Sequence, residues 1–283
     1  MSEVIVIGAG FWGSAITREL RDRGHEVTLV DSMDPRSGSR NAAWTCQPWV
    51  YRAPRFRHLL PEGWEPQLDK SIEWLVQWMG AEWVTEEFQN LPRMTPHREG
   101  RAVLNLTPGR GVLDPDVNWL ISAVTGDGPW WYVSERLRAR WVVLATGYET
   151  DKLLERSGLP TLGVKAVPGH GILIKAPWEG GQREFLVAPY TKYTIRRWTG
   201  DLWHLGDTAG SGGAEPLIAL ANRLFGDGGW QLEADLLGYR PQLPQYTVRE
   251  HAPHLIVATG GYRMSLGLCG LAAWTAADII DGK

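Results

Sequence analysis

The sequence predicts an α/β protein in which a parallel sheet is interleaved with a second, α+β domain that is mostly antiparallel. An apolar run, a glycine-rich turn and a helix open the chain at residues 4–23. Apolar runs that end in glycine turns return at residues 141–147 and 255–261. Residues 164–175 and 184–205 alternate between apolar and polar positions, as antiparallel strands do.

The first unit has the spacing of a nucleotide-binding turn. Gly8 permits a tight turn after the strand, Gly10 allows a pyrophosphate to approach the backbone, and Gly13 lets the helix pack closely on the strand. A helix that ends before Gly24 and a strand at residues 27–30 complete the unit. Asp31 follows at the usual distance for a carboxylate that accepts both ribose hydroxyls, so we expect a Rossmann-like dinucleotide site.

Composition places the chain among globular proteins. Hydrophobic residues make up 43% and charged residues 22%, and no apolar stretch approaches the ~20 residues of a membrane span. The first strand begins almost at once, which leaves no room for a signal peptide and leads us to expect a cytoplasmic protein. Cys46 and Cys269 are too few for a disulfide framework, and we expect no metal site because no Cys/His cluster is evident.

Positive charge is concentrated in a segment rich in arginine and aromatic residues. Residues 35–61 contain no acidic residue but do contain Arg36, Arg40, Arg52, Arg55 and Arg57, interleaved with Trp44, Trp49, Tyr51 and Phe56. Such a pattern can hold phosphates and stack on bases. We favour a solvated surface that also contacts the phosphates of the cofactor, and a site for a polyanion is the alternative.

The order of these patterns predicts a cofactor domain that is discontinuous in sequence. We assign residues 1–44, 111–160 and 235–283 to the cofactor-binding domain, and residues 45–110 and 161–234 to a substrate domain. A helix is expected around residues 72–79 and another, rich in small residues, at 268–280.

Several motifs resemble those of the FAD-dependent D-amino-acid oxidase, glycine oxidase and sarcosine oxidase family. The resemblance covers most of the chain and rests on GAGFWGSA (8–15), SGSRNAAW (37–44), GVLDPDVNWLISAV (111–124), VVLATGYET (142–150), LGYRP (237–241) and ATGGYRMSLGL (258–268). It implies a helix entry at residues 111–124. It also implies FAD as the cofactor, bound non-covalently because no cysteine lies where sarcosine oxidases attach it.

The resemblance assigns FAD contacts to four groups of residues. These are Gly8, Gly10, Phe11, Trp12 and Gly13; Asp31, Ser32, Ser39, Arg40, Asn41 and Ala42; Val133, Ala145, Thr146 and Gly147; and Gly260, Gly261, Tyr262, Arg263, Met264, Ser265 and Leu266.

The resemblance also implies the residues that hold the substrate. Arg240 and Arg263 stand at the positions where the family uses arginine to bind the substrate carboxylate, and a guanidinium can form a bidentate pair that lysine cannot. Tyr262 adjoins Arg263 and is expected to line the same pocket. Phe185 stands where an aromatic hydroxyl is often found on the substrate-domain strand, and Tyr190 or Tyr193 could substitute for it.

The reaction implied is oxidation of an amine, with a hydride passing from the carbon next to nitrogen to flavin N5. The imine would then hydrolyse to an oxo acid and an amine. We expect glycine, an N-substituted glycine or a D-amino acid as substrate. One alternative is a glycyl group carried on a modified DNA base, as in viral DNA modification, with DNA held through Arg36, Arg52, Arg55 and Arg57. Another is a flavin-binding protein without turnover.

Overall fold

The structure is a computed structural model of the 283-residue chain. It describes residues 2–42, 45–46, 60, 64–80, 82–85, 102–105, 111–177, 185–187, 193–207 and 213–283.

Five α-helices and sixteen strands are present in the described residues. The helices are α1 (Phe11–Asp22), α2 (Trp64–Met79), α3 (Thr150–Arg156), α4 (Glu215–Phe225) and α5 (Cys269–Asp281). The strands are β1 (Glu3–Ile7), β2 (Glu26–Asp31), β3 (Thr45–Cys46), β4 (Glu82–Thr85), β5 (Ala102–Asn105), β6 (Val117–Asn118), β7 (Val124–Asp127), β8 (Trp130–Val133), β9 (Leu137–Ala139), β10 (Trp141–Leu144), β11 (Lys165–Lys175), β12 (Phe185–Val187), β13 (Tyr193–Thr199), β14 (Leu202–Asp207), β15 (Gln231–Ala252) and β16 (Leu255–Gly261).

One ten-stranded sheet runs through the molecule in the order β12-β13-β14-β11-β15-β16-β10-β1-β2-β6. Strands from β16 to β6 are parallel, as expected for a nucleotide-binding sheet, and β10 lies beside β1 as predicted. Strands from β12 to β15 are antiparallel. The mixed α/β fold with an antiparallel second region is therefore confirmed.

Strand β15 joins the two parts of this sheet. Its 22 residues pair antiparallel with β11 on one side and with β16 on the other. The predicted domain boundary at residue 235 falls within this strand, and the division into two domains stays a prediction. This long strand therefore fixes the position of the antiparallel strands relative to the parallel strands.

Helices cover the parallel strands because their apolar residues fall on one face. In α1 the buried Trp12, Ile16 and Leu20 are spaced four residues apart and pack into the same cluster as α2 and α5. Helix α5 places buried alanines, including Ala272 and Ala276, in that cluster, and small residues allow helices to approach closely. None of the helices in the described parts of the chain is long and apolar enough to cross a membrane.

The expected helix entry at residues 111–124 is wrong. This segment is extended and contributes β6, which pairs in parallel with β2. The carboxylate of Asp116 accepts hydrogen bonds from the Arg21 guanidinium at 2.7 Å and from the Leu29 N–H at 2.6 Å. These bonds hold the segment along the sheet edge, which is why Asp-Pro does not start a helix here.

Candidate cofactor and substrate site

The glycine turn forms where β1, α1 and β10 meet. A Cβ placed on Gly13 would lie 1.6 Å from the Gly8 carbonyl oxygen, and one on Gly8 would lie 2.4 Å from the Ala145 carbonyl oxygen. Gly8 also has a positive φ of +106°. Backbone packing therefore requires glycine at both positions, and it places the start of α1 at the carboxyl edge of the sheet.

The N-terminus of α1 is suited to an anion. Its first turn contains no acidic residue, and Gly10 precedes it without a side chain that could cap it. The Phe11 N–H donates to Ser39 Oγ at 3.0 Å, which brings the predicted segment 39–42 to the same place. The positive end of the helix dipole would favour a pyrophosphate here.

Asp31 lies beside this turn at the end of β2. Its Oδ2 accepts the Ala9 N–H and its Oδ1 accepts the Met33 N–H, both at 2.5 Å. A carboxylate has further lone pairs after these two bonds, so it can still accept ribose hydroxyls. The neighbouring Ser32 is exposed.

The carboxyl ends of β10 and β16 supply further predicted contacts. The Thr146 and Thr150 hydroxyls lie 3.1 Å apart, and the Gly147 carbonyl accepts the hydroxyls of Thr150 and Thr259 at 2.7 and 3.1 Å. Val133 differs from these residues because it is fully buried in the core beside β10.

Residues 260–266 pack against the beginning of α1. The Trp12 Nε1–H donates to the Ser265 carbonyl at 2.8 Å, and a Cβ on Gly261 would lie 2.6 Å from Trp12 Cζ2. Met264 and Leu266 are buried, and Tyr262 has a positive φ of +46°. The structure thus brings the first and last predicted cofactor segments together.

Arg240 lies close to that last segment. Gln242 pairs with Gly261 across β15 and β16, so Arg240 is two residues from the pairing point, roughly 7 Å along the strand. Its guanidinium covers Gly169 on β11, where a Cβ would lie 2.5 Å from Nη2. Nη2 also lies 3.4 Å from the Asp207 carbonyl oxygen, to which it donates.

The other predicted substrate residues are described only in part. Arg263 lies in a single 3₁₀ turn, Tyr262–Met264, and Phe185 begins β12, but the side chains of both lie outside the described residues. The side chain of Tyr193 and the whole of Tyr190 also lie outside them. Their roles stay predictions.

Sequence reasoning missed a group of buried polar residues on the antiparallel strands. Arg196, His204 and Asp207 are 2%, 2% and 1% exposed. The His204 ring lies against Gly171 and Gly206, whose Cβ positions would each be 2.9 Å from it. The available signal was the glycines, since Gly171 pairs with Gly206 and Gly169 pairs with Gly238.

Burial determines the charge of His204. Loss of solvent lowers the pKa of its imidazole to about 4, and the charge of Arg196 acts in the same direction. The Asn41 backbone opposes this shift. The ring is therefore neutral at pH 7.

Arg36 takes part in a polar group next to the cofactor segment. The Tyr148 hydroxyl donates to Asp34 at 2.6 Å, and the Arg36 guanidinium pairs with Asp34 at 3.1 Å. Partial burial opposes ionisation of Asp34, but the hydrogen bonds from Arg36 and Tyr148 lower its pKa to about 2. Arg36 is thus engaged within the protein, while Arg52, Arg55 and Arg57 lie outside the described residues.

These arrangements fit FAD. Two glycines admit no Cβ, the helix start can take a pyrophosphate, and Asp31 can take a ribose. Arg40 and Ala42 are partly buried near the glycine turn and Asp31. The Arg40 guanidinium donates a hydrogen bond to the Met33 sulfur. No group of three His, Cys, Asp or Glu side chains suited to a metal occurs among the described residues.

Residues 3–117 match the model of a family described as DAO, FAD dependent oxidoreductase. The resemblance to the FAD-dependent oxidoreductases is confirmed. This match covers β1, the glycine turn, α1, β2 and Asp31, which are among the residues that the sequence assigned to the cofactor. It indicates an oxidoreductase that uses FAD. No curated protein sequence matches the chain.

Solved structures share the fold over the whole chain. Glycine oxidase from Geobacillus kaustophilus has a TM-score of 0.64 at 20% identity, covering 100% of this chain and 95% of that one. Glycine oxidase from Bacillus cereus ATCC 14579 has a TM-score of 0.68 at 16% identity, covering 100% and 98%. Iminodiacetate oxidase from Chelativorans sp. BNC1 has a TM-score of 0.64 at 16% identity, covering 99% and 95%.

Proposed function

We propose that this FAD-dependent oxidoreductase oxidises the C–N bond of a small amino acid, namely glycine, an N-substituted glycine or a D-amino acid. The observation that carries the proposal is the position of Arg240. Arg240 is partly buried, and it lies two residues before Gln242, which pairs with Gly261 at the beginning of segment 260–266. The names of the similar structures, glycine oxidase and iminodiacetate oxidase, support the same substrate class.

The cofactor would be held non-covalently by four parts of the chain. The glycine turn and the start of α1 would bind the pyrophosphate, Asp31 the adenosine ribose, and segments 39–42 and 260–266 the flavin half. When bound, FAD supplies an acceptor for the hydride that leaves the substrate carbon.

Arg240 would bind and orient the substrate. A guanidinium that forms two parallel hydrogen bonds to a carboxylate fixes the direction of the Cα–N bond as well as its position. We propose that Arg263 adds a second contact to the carboxylate, that Tyr262 lines the pocket, and that Phe185 covers it from β12. Correct placement of a neutral amine removes the need for a strong base, because the flavin takes the electron pair with the hydride. Water then hydrolyses the imine to an oxo acid and an amine.

The DNA-borne alternative rests on the sequence pattern of residues 35–61 alone. Arg36, one of the four arginines expected to contact DNA, pairs with Asp34 and keeps 57% of its side chain exposed. A glycyl group on a modified base would still present the carboxylate that Arg240 is proposed to bind. This substrate therefore belongs in the same experiment as the free amino acids.

The test is an anaerobic titration of the FAD-loaded protein with glycine, sarcosine, iminodiacetate and D-alanine, and with a DNA oligonucleotide carrying a glycyl-modified base. Bleaching of the flavin absorbance by a free amino acid is expected, and the most effective one defines the substrate. Bleaching by the oligonucleotide alone would replace this proposal with the DNA-borne one. Failure of every compound to bleach the flavin would favour a flavin-binding protein without turnover.

A further inference from the structure

We propose that Asn41 is a positioning residue. It holds β15, the strand that carries Arg240, against the cofactor loop, and it thereby couples FAD binding to binding of the substrate carboxylate. The inference rests on the proposed function, because it takes Arg240 as the carboxylate ligand. It concerns a residue expected only to contact FAD.

The Asn41 side chain connects the cofactor segment to β15. Its Nδ2 group donates to the carbonyls of Pro35 and Ser37 at 2.6 and 3.1 Å, within its own loop. The same group donates to the Leu237 carbonyl at 3.2 Å, three residues before Arg240. One amide thus shapes the loop and fastens it to the strand.

Backbone packing extends this contact up to Arg240. The Tyr239 N–H donates to the Arg36 carbonyl at 3.0 Å. A Cβ on Gly38 would lie 2.6 Å from the Tyr239 carbonyl oxygen and 3.9 Å from Arg240 Cα. Glycine at position 38 is what allows the loop to lie directly on the backbone of the arginine-bearing strand.

On β15, Gly238 faces the loop residues Gly38 and Asn41. A Cβ there would lie 3.0 Å from Asn41 Cβ and 3.3 Å from Gly38 Cα. A side chain at position 238 would therefore require the loop to move by a few tenths of an ångström, and the nearest loop atom is Asn41 Cβ. Gly238 is thus a second position from which the loop can be separated from β15.

The other end of the loop touches the start of α1. Ser39 Oγ accepts the Phe11 N–H, and it lies 2.9 Å from the Cβ position of Gly10. Residues 38–41 therefore contact both the proposed pyrophosphate site and β15, the strand that carries Arg240. A ligand that orders this loop from one side also orders it for the other, and such coupling is reciprocal.

The experiment uses acetate as a carboxylate that cannot be oxidised. The Kd of FAD for the apoprotein is measured by flavin fluorescence with and without saturating acetate, and the Kd of acetate by absorbance changes of the FAD-saturated protein. In the wild type, acetate is expected to tighten FAD binding about fivefold or more. Asn41→Asp removes the three donated bonds at constant shape, and it should raise the acetate Kd about tenfold at saturating FAD and abolish the coupling.

Asn222→Asp on α4 is the matched control, because it keeps the Oδ1 atom that accepts the Trp230 Nε1–H, and it should leave both constants unchanged. Gly238→Ala disturbs the same contact from the β15 side and should also raise the acetate Kd, which keeps the inference testable if Asn41→Asp does not fold. An unchanged acetate Kd in both variants would overturn the role of Asn41 alone. Failure of the wild type to bind acetate would overturn both this inference and the assignment of Arg240.

Discussion

The cofactor side and the substrate side of this molecule are built in different ways. Around the glycine turn, local spacing in one short stretch determines much of the geometry, because a Cβ on Gly13 would meet the carbonyl oxygen of Gly8, five residues earlier. On the antiparallel strands, the geometry depends on which strands pair, since Gly169 lies under Arg240 only through the register of β11 and β15. The first arrangement is local and the second is long-range.

We expect the largest effect from a substitution that disrupts the local packing of the glycine turn. Gly13→Ala would place a Cβ 1.6 Å from the Gly8 carbonyl oxygen, so we expect loss of FAD binding and a fall of more than about 4 kcal/mol in the free energy of unfolding. Urea denaturation and FAD titration measure both. Gly24→Ala is the comparison at the other end of α1, where no atom lies within 4 Å but φ is +85°. It should cost only about 1 kcal/mol from backbone strain and retain FAD.

The buried imidazole of His204 on the substrate side should make the free energy of unfolding depend on pH between about pH 4 and 6.5. Its folded pKa of about 4 lies below the ordinary 6.5, so between these values the unfolded chain binds a proton that the folded chain does not. Stability is therefore full above pH 6.5 and falls by about 3 kcal/mol towards pH 4. His204→Leu should flatten this part of the pH profile in urea denaturation. An unchanged slope in His204→Leu would contradict the burial of a neutral ring.

The smallest effect concerns the polar group beside the cofactor loop. Tyr148→Phe removes the hydroxyl that donates to Asp34 at 2.6 Å and should lower the free energy of unfolding by about 1 kcal/mol. It should also raise the pKa of Asp34 from about 2 towards its ordinary value, since one of the bonds that lowers it is gone. Tyr132→Phe is the control because no hydrogen bond of its hydroxyl occurs in the described residues. Equal stability losses in the two variants would show that the Tyr148 bond contributes nothing.

The same contrast explains what could be predicted from the sequence. The turn at Gly8, the carboxylate at Asp31 and the parallel neighbours β1 and β10 follow from short patterns, and the structure has them as predicted. The group formed by Arg196 and His204 was missed because its burial depends on the long-range pairing of β11 with β14, which places Gly171 and Gly206 against the His204 ring. The helix expected at residues 111–124 was wrong for a related reason, since contacts of Asp116 with Arg21 and Leu29 hold that segment on the sheet.

The central claim is that Arg240 binds the carboxylate of an amino acid beside the flavin. It is tested most directly by anaerobic flavin bleaching in Arg240→Ala, compared with Arg249→Ala, an exposed arginine on the same strand. Arg240→Ala should keep its FAD but lose about 2–5 kcal/mol of substrate binding free energy, while Arg249→Ala should behave as the wild type. An unchanged substrate dependence in Arg240→Ala would contradict the assignment.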